Sequence, residues 1–185
     1  AIHKPQGMVL VTGPTGSGKT TTALRIAEAI GGLGLILTYN RQLAHESDER
    51  SRAAGIAAEI RTYHAFAVKY LAPDCFTDEG MIRALRAGDI AGAPDYSFVI
   101  FDECQDMTPV LYELACRIMR GRACPLIIMG DPRQNIYRFR GADPKYMTAE
   151  MWPGYAPFEN LTLSVSYRLP IAVAAQVAEW SGVNI

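Results

Sequence analysis

The chain has 185 residues, of which 49% are hydrophobic and 20% are charged, and this composition predicts one globular domain rather than a disordered segment. Its formal net charge of −1 argues against a protein built mainly to hold a polyanion, so any contact with nucleic acid must be local. No apolar run approaches the roughly 20 residues that span a bilayer, and the first residues show no cleavable signal pattern. We therefore expect a soluble protein of the cytoplasm that binds no membrane.

In chain order, short apolar runs alternate with stretches of helical periodicity. Strands are predicted at 8–12, 34–39, 58–62, 97–102, 125–131 and 160–165. Helices are predicted at 21–30, 41–55, 63–71, 79–87, 109–120 and 170–182, and the segment 144–158 is expected to form turns. Continuously apolar strands separated by helices predict a parallel sheet that is covered on both faces. The expected fold is therefore a single α/β domain over residues 1–185.

The cysteines form no C-x-x-C pair and have no histidine nearby at the spacing of metal ligands. This pattern favours reduced packing residues over a zinc site. They are Cys75, Cys104, Cys116 and Cys124.

The segment GPTGSGKT, residues 13–20, satisfies the phosphate-loop pattern G-x-x-x-x-G-K-[ST] and lies between a predicted strand and a predicted helix. Its glycines let successive backbone N–H groups surround a phosphate, and the helix N-terminus adds a partial positive charge. Lys19 would reach the β- and γ-phosphates, and Thr20 would offer its hydroxyl to Mg²⁺. The predicted nucleotide-binding residues are Gly13, Pro14, Thr15, Gly16, Ser17, Gly18, Lys19, Thr20 and Thr21.

The segment FDECQD, residues 101–106, supplies the acids that such a site needs. Asp102 ends an apolar strand, from which its carboxylate can reach a metal ion beside the phosphates. Glu103 is placed to polarise the attacking water as a general base. Acids at strand ends also serve as helix caps, but together with a phosphate loop they predict hydrolysis of a nucleotide with Mg²⁺.

Together with GDPRQNIYRFRGAD, residues 130–143, these segments resemble the UvrD/Rep-type superfamily 1 DNA helicases. Weaker similarity lies in LTYNRQLAHE, TYHAF and SYR, so the resemblance runs from the phosphate loop to about residue 168. It implies a RecA-like P-loop NTPase fold with the strand before Gly13 in the centre and the strand 125–131 between it and the strand 97–102. It also implies ATP hydrolysis coupled to unwinding and to movement along single-stranded DNA.

The resemblance implies roles for individual residues in the ATP site. Gln134 matches the glutamine that senses the γ-phosphate, and Gln105 with Asp106 matches the polar pair that links hydrolysis to the DNA. Tyr167 matches the tyrosine that stacks on adenine, and Arg168 matches an arginine that reaches the γ-phosphate. The implied catalytic residues are therefore Lys19, Asp102, Glu103, Gln134 and Arg168.

The same resemblance implies a DNA surface. Phe139 matches an aromatic residue that stacks on a base, and stacking of this kind tolerates any sequence. Tyr137 is expected to pack rather than to touch DNA. Lone Thr and His residues more often cap helices or pack, which leaves a second interpretation of Thr62 and His64. The implied DNA contacts are Tyr39, Asn40, Thr62, His64, Phe139 and Arg140.

Two departures separate the chain from this family. Only about 25 residues lie between TYHAFAVKYL and SFVIFD, too few for the helical insertion of many relatives. The sequence also stops soon after residue 168, before the second motor domain and its arginine. We therefore expect a first motor domain, or a fragment, that binds ATP with Mg²⁺ but hydrolyses it poorly until a second RecA-like domain or subunit completes the site.

Two other classes of function stay open. The segment KPQGMVLVTGPTGSGKTTT also resembles the phosphate-loop region of type II secretion and pilus ATPases, which act on protein, although the segment 130–143 argues against that class. A non-catalytic alternative is a nucleotide-gated module that grips single-stranded DNA or a protein without turnover.

Overall fold

The computed structural model describes residues 7–155, 157–165, 167 and 170–182. Strands and helices alternate along these residues, as the sequence predicts. The strands are β1 (Met8–Thr12), β2 (Gly34–Thr38), β3 (Ala58–Thr62), β4 (Phe98–Phe101), β5 (Leu126–Gly130) and β6 (Phe158–Thr162). The α-helices are α1 (Lys19–Ile30), α2 (Arg41–Ala53), α3 (Tyr63–Tyr70), α4 (Asp78–Ala87), α5 (Pro109–Met119) and α6 (Ile171–Ser181).

The six strands form one sheet in the order β3-β2-β4-β5-β1-β6, and every pair of neighbouring strands is parallel. The predicted position of β5 between β1 and β4 is confirmed. The prediction that β1 is central is wrong, because β1 is an interior strand second from the β6 edge. Since parallel strands end at the same edge of a sheet, the loops that follow β1, β4 and β5 meet there.

Alternate side chains of each strand point to opposite faces of the sheet, and each face has its own core. One core packs Ile36, Ile100 and Ile127 against α1. The other packs the intervening residues of the same strands against α3, α4 and α5, and it includes Leu35, Leu37, Val99, Phe101, Leu126 and Ile128. The predicted coverage of both faces by helices is confirmed.

The segment that the sequence predicts as turns is an ordered cover over the larger core. It forms 3₁₀ turns at Pro144–Met147 and Ala149–Met151. The buried ring of Trp152 stacks on Phe101 with 5.6 Å between centroids, and its Nε1 donates a hydrogen bond to the backbone oxygen of Tyr146 at 2.8 Å. Short 3₁₀ turns have no 3.6-residue periodicity, so the pattern of apolar residues gave no sign of this packing.

The last strand, β6, forms one edge of the sheet. β6 begins at Phe158, two residues before the predicted strand, because its pairing with β1 starts at the register of Met8 with Phe158. The following helix α6 exposes 77% of Trp180 to solvent. Among the described residues, no helix combines the length and the apolar character needed to cross a membrane.

The free cysteines pack as the sequence predicts. Cys75, Cys104 and Cys124 are buried, whereas Cys116 is partly exposed. The thiol of Cys104 donates a hydrogen bond to the backbone oxygen of Phe101 at 3.2 Å, and burial raises its pKa well above the usual value.

Gly34 allows β2 to pass beside an aromatic ring of the neighbouring strand. A Cβ at Gly34 would lie 1.9 Å from Cζ of the buried Phe98, its partner in the sheet. We therefore expect Gly34→Ala to lower the free energy of unfolding by about 1–3 kcal/mol, measured by urea denaturation, because the core must shift to admit a methyl group. Gly88→Ala, where a Cβ meets no atom within 4 Å, is the control and should change it by less than about 0.5 kcal/mol. Equal losses at the two sites would contradict this explanation.

Candidate functional site

The loop at residues 13–20 turns sharply between β1 and α1. Gly16 and Gly18 have φ angles of 78° and 91°, in the left-handed region that glycine adopts readily, and Gly18 is the N-cap of α1. A Cβ on Gly13 would lie 2.5 Å from the backbone oxygen of Leu163. The glycines of the pattern are therefore required by the backbone itself, as the phosphate-loop prediction supposes.

Lys19 folds back over this loop. Its Nζ donates hydrogen bonds to the backbone oxygens of Gly13, at 2.8 Å, and Pro14, at 3.2 Å. Ser17 is buried, and its hydroxyl has no hydrogen-bond partner among the described residues. A buried cation that is hydrogen-bonded to neutral backbone oxygens and a buried hydroxyl without a partner are features expected of a loop that holds an anion. A phosphate oxygen would bring a negative charge to the first and a hydrogen-bond acceptor to the second.

Asp102 follows β4 and is buried near Lys19. Burial, together with the charge of Glu103, raises the pKa of Asp102 to about 7, although the backbone N–H of Glu103 donates to its Oδ1 at 2.8 Å and Lys19 acts in the opposite direction. A cation close to a buried carboxyl group with a raised pKa stabilises its ionised form. The oxygens of Asp102, of the half-buried Thr20 and of the unpaired Ser17 are ligands that Mg²⁺ prefers, so these residues fit that ion.

Glu103 has a φ of 54° and is the one non-glycine residue with positive φ among those that the structure describes. This left-handed conformation costs a residue with a Cβ about 1 kcal/mol. A hydrogen bond holds the carboxylate in place, because Nε2 of Gln105 donates to Oε2 of Glu103 at 2.6 Å. Backbone strain therefore falls on the residue that the sequence predicts as the general base.

A continuous chain of hydrogen bonds runs from Glu103 to the phosphate loop. Beyond the first contact, Oε1 of Gln105 accepts a hydrogen bond from the backbone N–H of Asp131 at 3.0 Å. Oδ2 of Asp131 accepts from Nε2 of Gln134 at 2.6 Å, and Oε1 of Gln134 accepts from the hydroxyl of Thr15. We call this series of hydrogen-bonded residues the relay; it consists of Glu103, Gln105, Asp131, Gln134 and Thr15.

Asp131 is the member of the relay that the sequence reasoning left without a role. The only signal was an acid directly after an apolar strand. Its two carboxylate oxygens hold Gln134 and the backbone N–H of Arg133, the latter at 3.0 Å. Gly130 completes the arrangement, because a Cβ there would lie 2.5 Å from Oε1 of Gln105.

The second residue of the predicted coupling pair is placed differently. Asp106 is buried, and its Oδ1 has no partner among the described residues. Burial, with the nearby charge of Glu103, raises its pKa to about 6. Gln105 therefore belongs to the relay, whereas the side chain of Asp106 lies beside it.

Aromatic and basic side chains gather on the surface that follows the relay in sequence. The guanidinium carbon of Arg140 lies 5.6 Å from the ring centroids of both Tyr137 and Phe139. Nη1 of Arg140 donates to the hydroxyl of Tyr39 at 3.5 Å, and the rings of Tyr39 and Tyr137 are 5.3 Å apart. Phe139 is 79% exposed, whereas Tyr137 is partly buried and packs. We call Tyr39, Tyr137, Phe139 and Arg140 the aromatic–basic patch.

Three further candidate DNA residues have local structural partners. Oδ1 of Asn40 accepts from the backbone N–H of Gln42 at 2.8 Å and caps α2, and the hydroxyl of Thr62 accepts from Ala65 at 3.2 Å and caps α3. Nε2 of His64 lies 2.8 Å from Oδ1 of Asp78. These contacts match the second interpretation of Thr62 and His64, and the DNA roles of all three residues stay predictions.

The remaining nucleotide candidates lie at or near the loop. Thr21 is exposed in the first turn of α1. The backbone N–H of Tyr167 donates to the backbone oxygen of Gly16 at 3.0 Å, and its side chain is exposed, so the predicted adenine-stacking residue is next to the phosphate loop. Arg168 lies outside the described residues.

A family model described as an AAA domain matches residues 1–140. The chain belongs to this family. F-box DNA helicase protein 1 of Schizosaccharomyces pombe is 35% identical over 79 residues, which are 43% of this chain and 8% of that protein. The AAA domain thus spans a small part of this relative, and the predicted relationship to superfamily 1 helicases is confirmed.

Solved structures show the same fold. The structure of the Pif1 helicase from Bacteroides in complex with ADP-AlF3 and single-stranded DNA is 18% identical and superimposes with a TM-score of 0.53. The superposition covers 96% of this AAA domain and 43% of the Pif1 chain. The predicted RecA-like P-loop NTPase fold is confirmed.

The resemblance to pilus ATPases is confined to a short segment. The type IV pilus assembly ATPase PilB of Myxococcus xanthus is 64% identical over 33 residues, which are 18% of this AAA domain and 6% of PilB. Phosphate loops are shared by many nucleotide hydrolases, and a match of this length covers less than a fifth of the chain.

The strain at Glu103 can be measured with two substitutions that remove the same carboxylate. Because Glu103→Gly and Glu103→Ala differ only in the Cβ, we expect the glycine variant to have the higher free energy of unfolding, by about 1 kcal/mol in urea denaturation. Arg83, inside α4, provides the control: there the alanine variant should have the higher free energy of unfolding, by about 1 kcal/mol, because glycine destabilises a helix interior. The same rank order at both positions would show that the backbone of Glu103 is unstrained.

Proposed function

We propose that this chain is the ATP-binding motor domain of an ATP-dependent helicase that moves along single-stranded DNA. The observation that carries the proposal is the relay, because it joins the candidate general base to the phosphate loop and passes through the segment that bears the aromatic–basic patch. Three members of the patch, Tyr137, Phe139 and Arg140, lie at most nine positions after Asp131 in the sequence. A change at the γ-phosphate therefore has a short mechanical route to a DNA-binding surface.

The phosphate loop and Lys19 hold the triphosphate of ATP. On binding, Nζ of Lys19 exchanges the backbone oxygens of Gly13 and Pro14 for phosphate oxygens. Thr20 and Asp102 hold Mg²⁺, which supplies neutralisation of phosphate charge when it is bound. Glu103 accepts the proton of the attacking water, and its bond to Gln105 keeps the carboxylate aimed into the site.

Gln134 is the proposed γ-phosphate sensor. Its amide is held between Asp131 and Thr15, so a γ-phosphate entering the loop competes for the same donors and acceptors. Movement of Gln134 passes to the patch through residues 135–140. The patch offers the exposed ring of Phe139 and the cationic side chain of Arg140, which bind single-stranded DNA by stacking and by attraction to the backbone without reading its sequence.

The complete motor needs more than this domain. More than half of the Pif1 chain has no counterpart here, which supports a second RecA-like domain or subunit that contributes further groups to the ATP site. Arg168 and Tyr167 are proposed to act on the γ-phosphate and on adenine. An arginine supplied by a second domain contributes roughly 10³–10⁵ to the rate in related chemistry. We propose that the complete protein works in the cytoplasm, where ATP and DNA are present.

The first experiment is ATP hydrolysis by the chain with and without single-stranded DNA, with Glu103→Gln as the blank. We expect ATP to bind with Mg²⁺, and turnover to lie little above the blank, because the proposed second domain would have to supply the remaining groups of the ATP site. Lys19→Ala should abolish ATP binding, which calorimetry would measure. Adding a second motor domain in trans should raise turnover above the blank and make it respond to DNA.

Three outcomes would contradict the proposal. Unchanged ATP affinity in Lys19→Ala would remove the phosphate-loop assignment. ATP binding without turnover, even with a second motor domain supplied, would indicate a nucleotide-gated binding module. Turnover stimulated by a protein filament but not by DNA would favour a function like that of the pilus ATPases.

Coupling between the two sites should depend on Gln105, which makes two side-chain bonds of the relay. In the unmodified chain, we expect the affinity for single-stranded DNA to differ between ADP and a non-hydrolysable ATP analogue by roughly 5- to 150-fold. Gln105→Ala should bring this ratio close to one while ATP still binds. Gln176→Ala, on the exposed surface of α6, is the matched control and should keep the ratio. A ratio that survives Gln105→Ala would mean that the relay does not carry the coupling.

A further inference from the structure

Phe76 is a large aromatic side chain held in solvent. It is 69% exposed, although both of its neighbours are fixed. Cys75 is fully buried, and the hydroxyl of Thr77 accepts a hydrogen bond from the backbone N–H of Gly80 at 3.1 Å and caps α4. The exposed ring of Phe76 therefore belongs to a segment whose backbone is fixed on both sides.

Two more contacts fix this segment to the body of the domain. Oδ1 of Asp78 lies 2.8 Å from Nε2 of His64 in α3, and Nη2 of Arg83 donates to Asp74 at 2.8 Å. Gly80 lies so close to the preceding turn that a Cβ would be 1.9 Å from the backbone oxygen of Asp74. Leaving the ring of Phe76 exposed forgoes the favourable free energy of burying an aromatic side chain.

A cavity of 250 Å³ lies between Phe76 and the aromatic–basic patch. Tyr39 and Arg140 of the patch contribute to its wall. Polar side chains also line it, among them those of His64, Thr77 and Asp78. The cavity thus combines an aromatic ring, a guanidinium group and polar side chains.

We propose that this cavity is a pocket for one unstacked base of single-stranded DNA, with the ring of Phe76 stacked on the base. The proposal rests on the proposed function and adds a second stacking site to the patch. A base presents an apolar face to Phe76 and Arg140, and polar edge atoms to His64 and Asp78. The cation of Arg140 complements the phosphate that accompanies the base.

A single strand suits the pocket better than a duplex. In a duplex, the faces of each base are covered by its neighbours and its pairing edge is occupied, so neither is available to an aromatic ring. The pocket is also continuous with the patch, since Tyr39 and Arg140 belong to both. A strand that stacks on Phe139 can therefore place another of its bases against Phe76.

The test measures equilibrium binding of a fluorescent oligo(dT) by anisotropy, with a strand of abasic nucleotides of the same length as a second ligand. We expect Phe76→Leu, which keeps an apolar side chain but loses the ring, to weaken binding of oligo(dT) by about 5- to 100-fold. Phe76→Trp should bind within about threefold of the unmodified chain, because it restores a flat ring. Ile82→Ala, an exposed apolar residue of α4 that does not line the cavity, is the control and should bind normally.

The abasic strand separates stacking from other causes. On this ligand, Phe76→Leu should bind as the unmodified chain does, since the base that Phe76 contacts is missing. An equal loss on both strands, normal binding of oligo(dT) by Phe76→Leu, or an equal loss on blunt duplex DNA would overturn the pocket. Absence of binding to any strand by the unmodified chain would instead overturn the proposed function. Weakening by Phe139→Ala but not by Phe76→Leu would leave that function standing and remove only the pocket.

Discussion

The amide of Gln105 connects the ends of two neighbouring strands, and the site is organised around this connection. Its oxygen accepts from the backbone N–H of Asp131, directly after β5, and its nitrogen donates to the carboxylate of Glu103, two residues after β4. Because Gln105 is buried, neither bond can be exchanged for water without cost. The glycine at position 130 leaves room for it. A displacement of the end of β4 therefore shifts the end of β5 as well, and the reverse holds too.

Energetically unfavourable features are concentrated at the same edge of the sheet. Asp102 and Asp106 have raised pKa values because they are buried near another acid, and Glu103 has a left-handed backbone. The cores on the two faces of the sheet are well packed and compensate for these costs. Strain and buried charge of this kind gather where ligands act, because a ligand that relieves them gains binding energy.

The sequence is informative where a local rule acts. Glycine spacing predicts the phosphate loop, and continuously apolar runs separated by stretches of helical periodicity predict the parallel sheet and most element bounds. Other features depend on contacts between distant segments. Contacts with residues far away in sequence determine the role of Asp131, the packing of Trp152 and the exposure of Phe76. The position of β1 near one edge of the sheet likewise depends on its pairing with β6. For Thr62 and His64, the structure gives only contacts within the domain, a helix cap and a hydrogen bond to Asp78, so their DNA roles stay predictions.

The two tryptophans lie in opposite surroundings. Trp152 is buried against Phe101, whereas Trp180 on α6 is in water. A buried indole emits at shorter wavelength than a hydrated one, so the chain contains two intrinsic optical probes with separable signals. The shorter-wavelength emission, from Trp152, reports whether the larger core is folded. The longer-wavelength emission, from Trp180, changes when another molecule covers α6. Assembly with a further domain can thus be observed independently of unfolding, without attaching a dye.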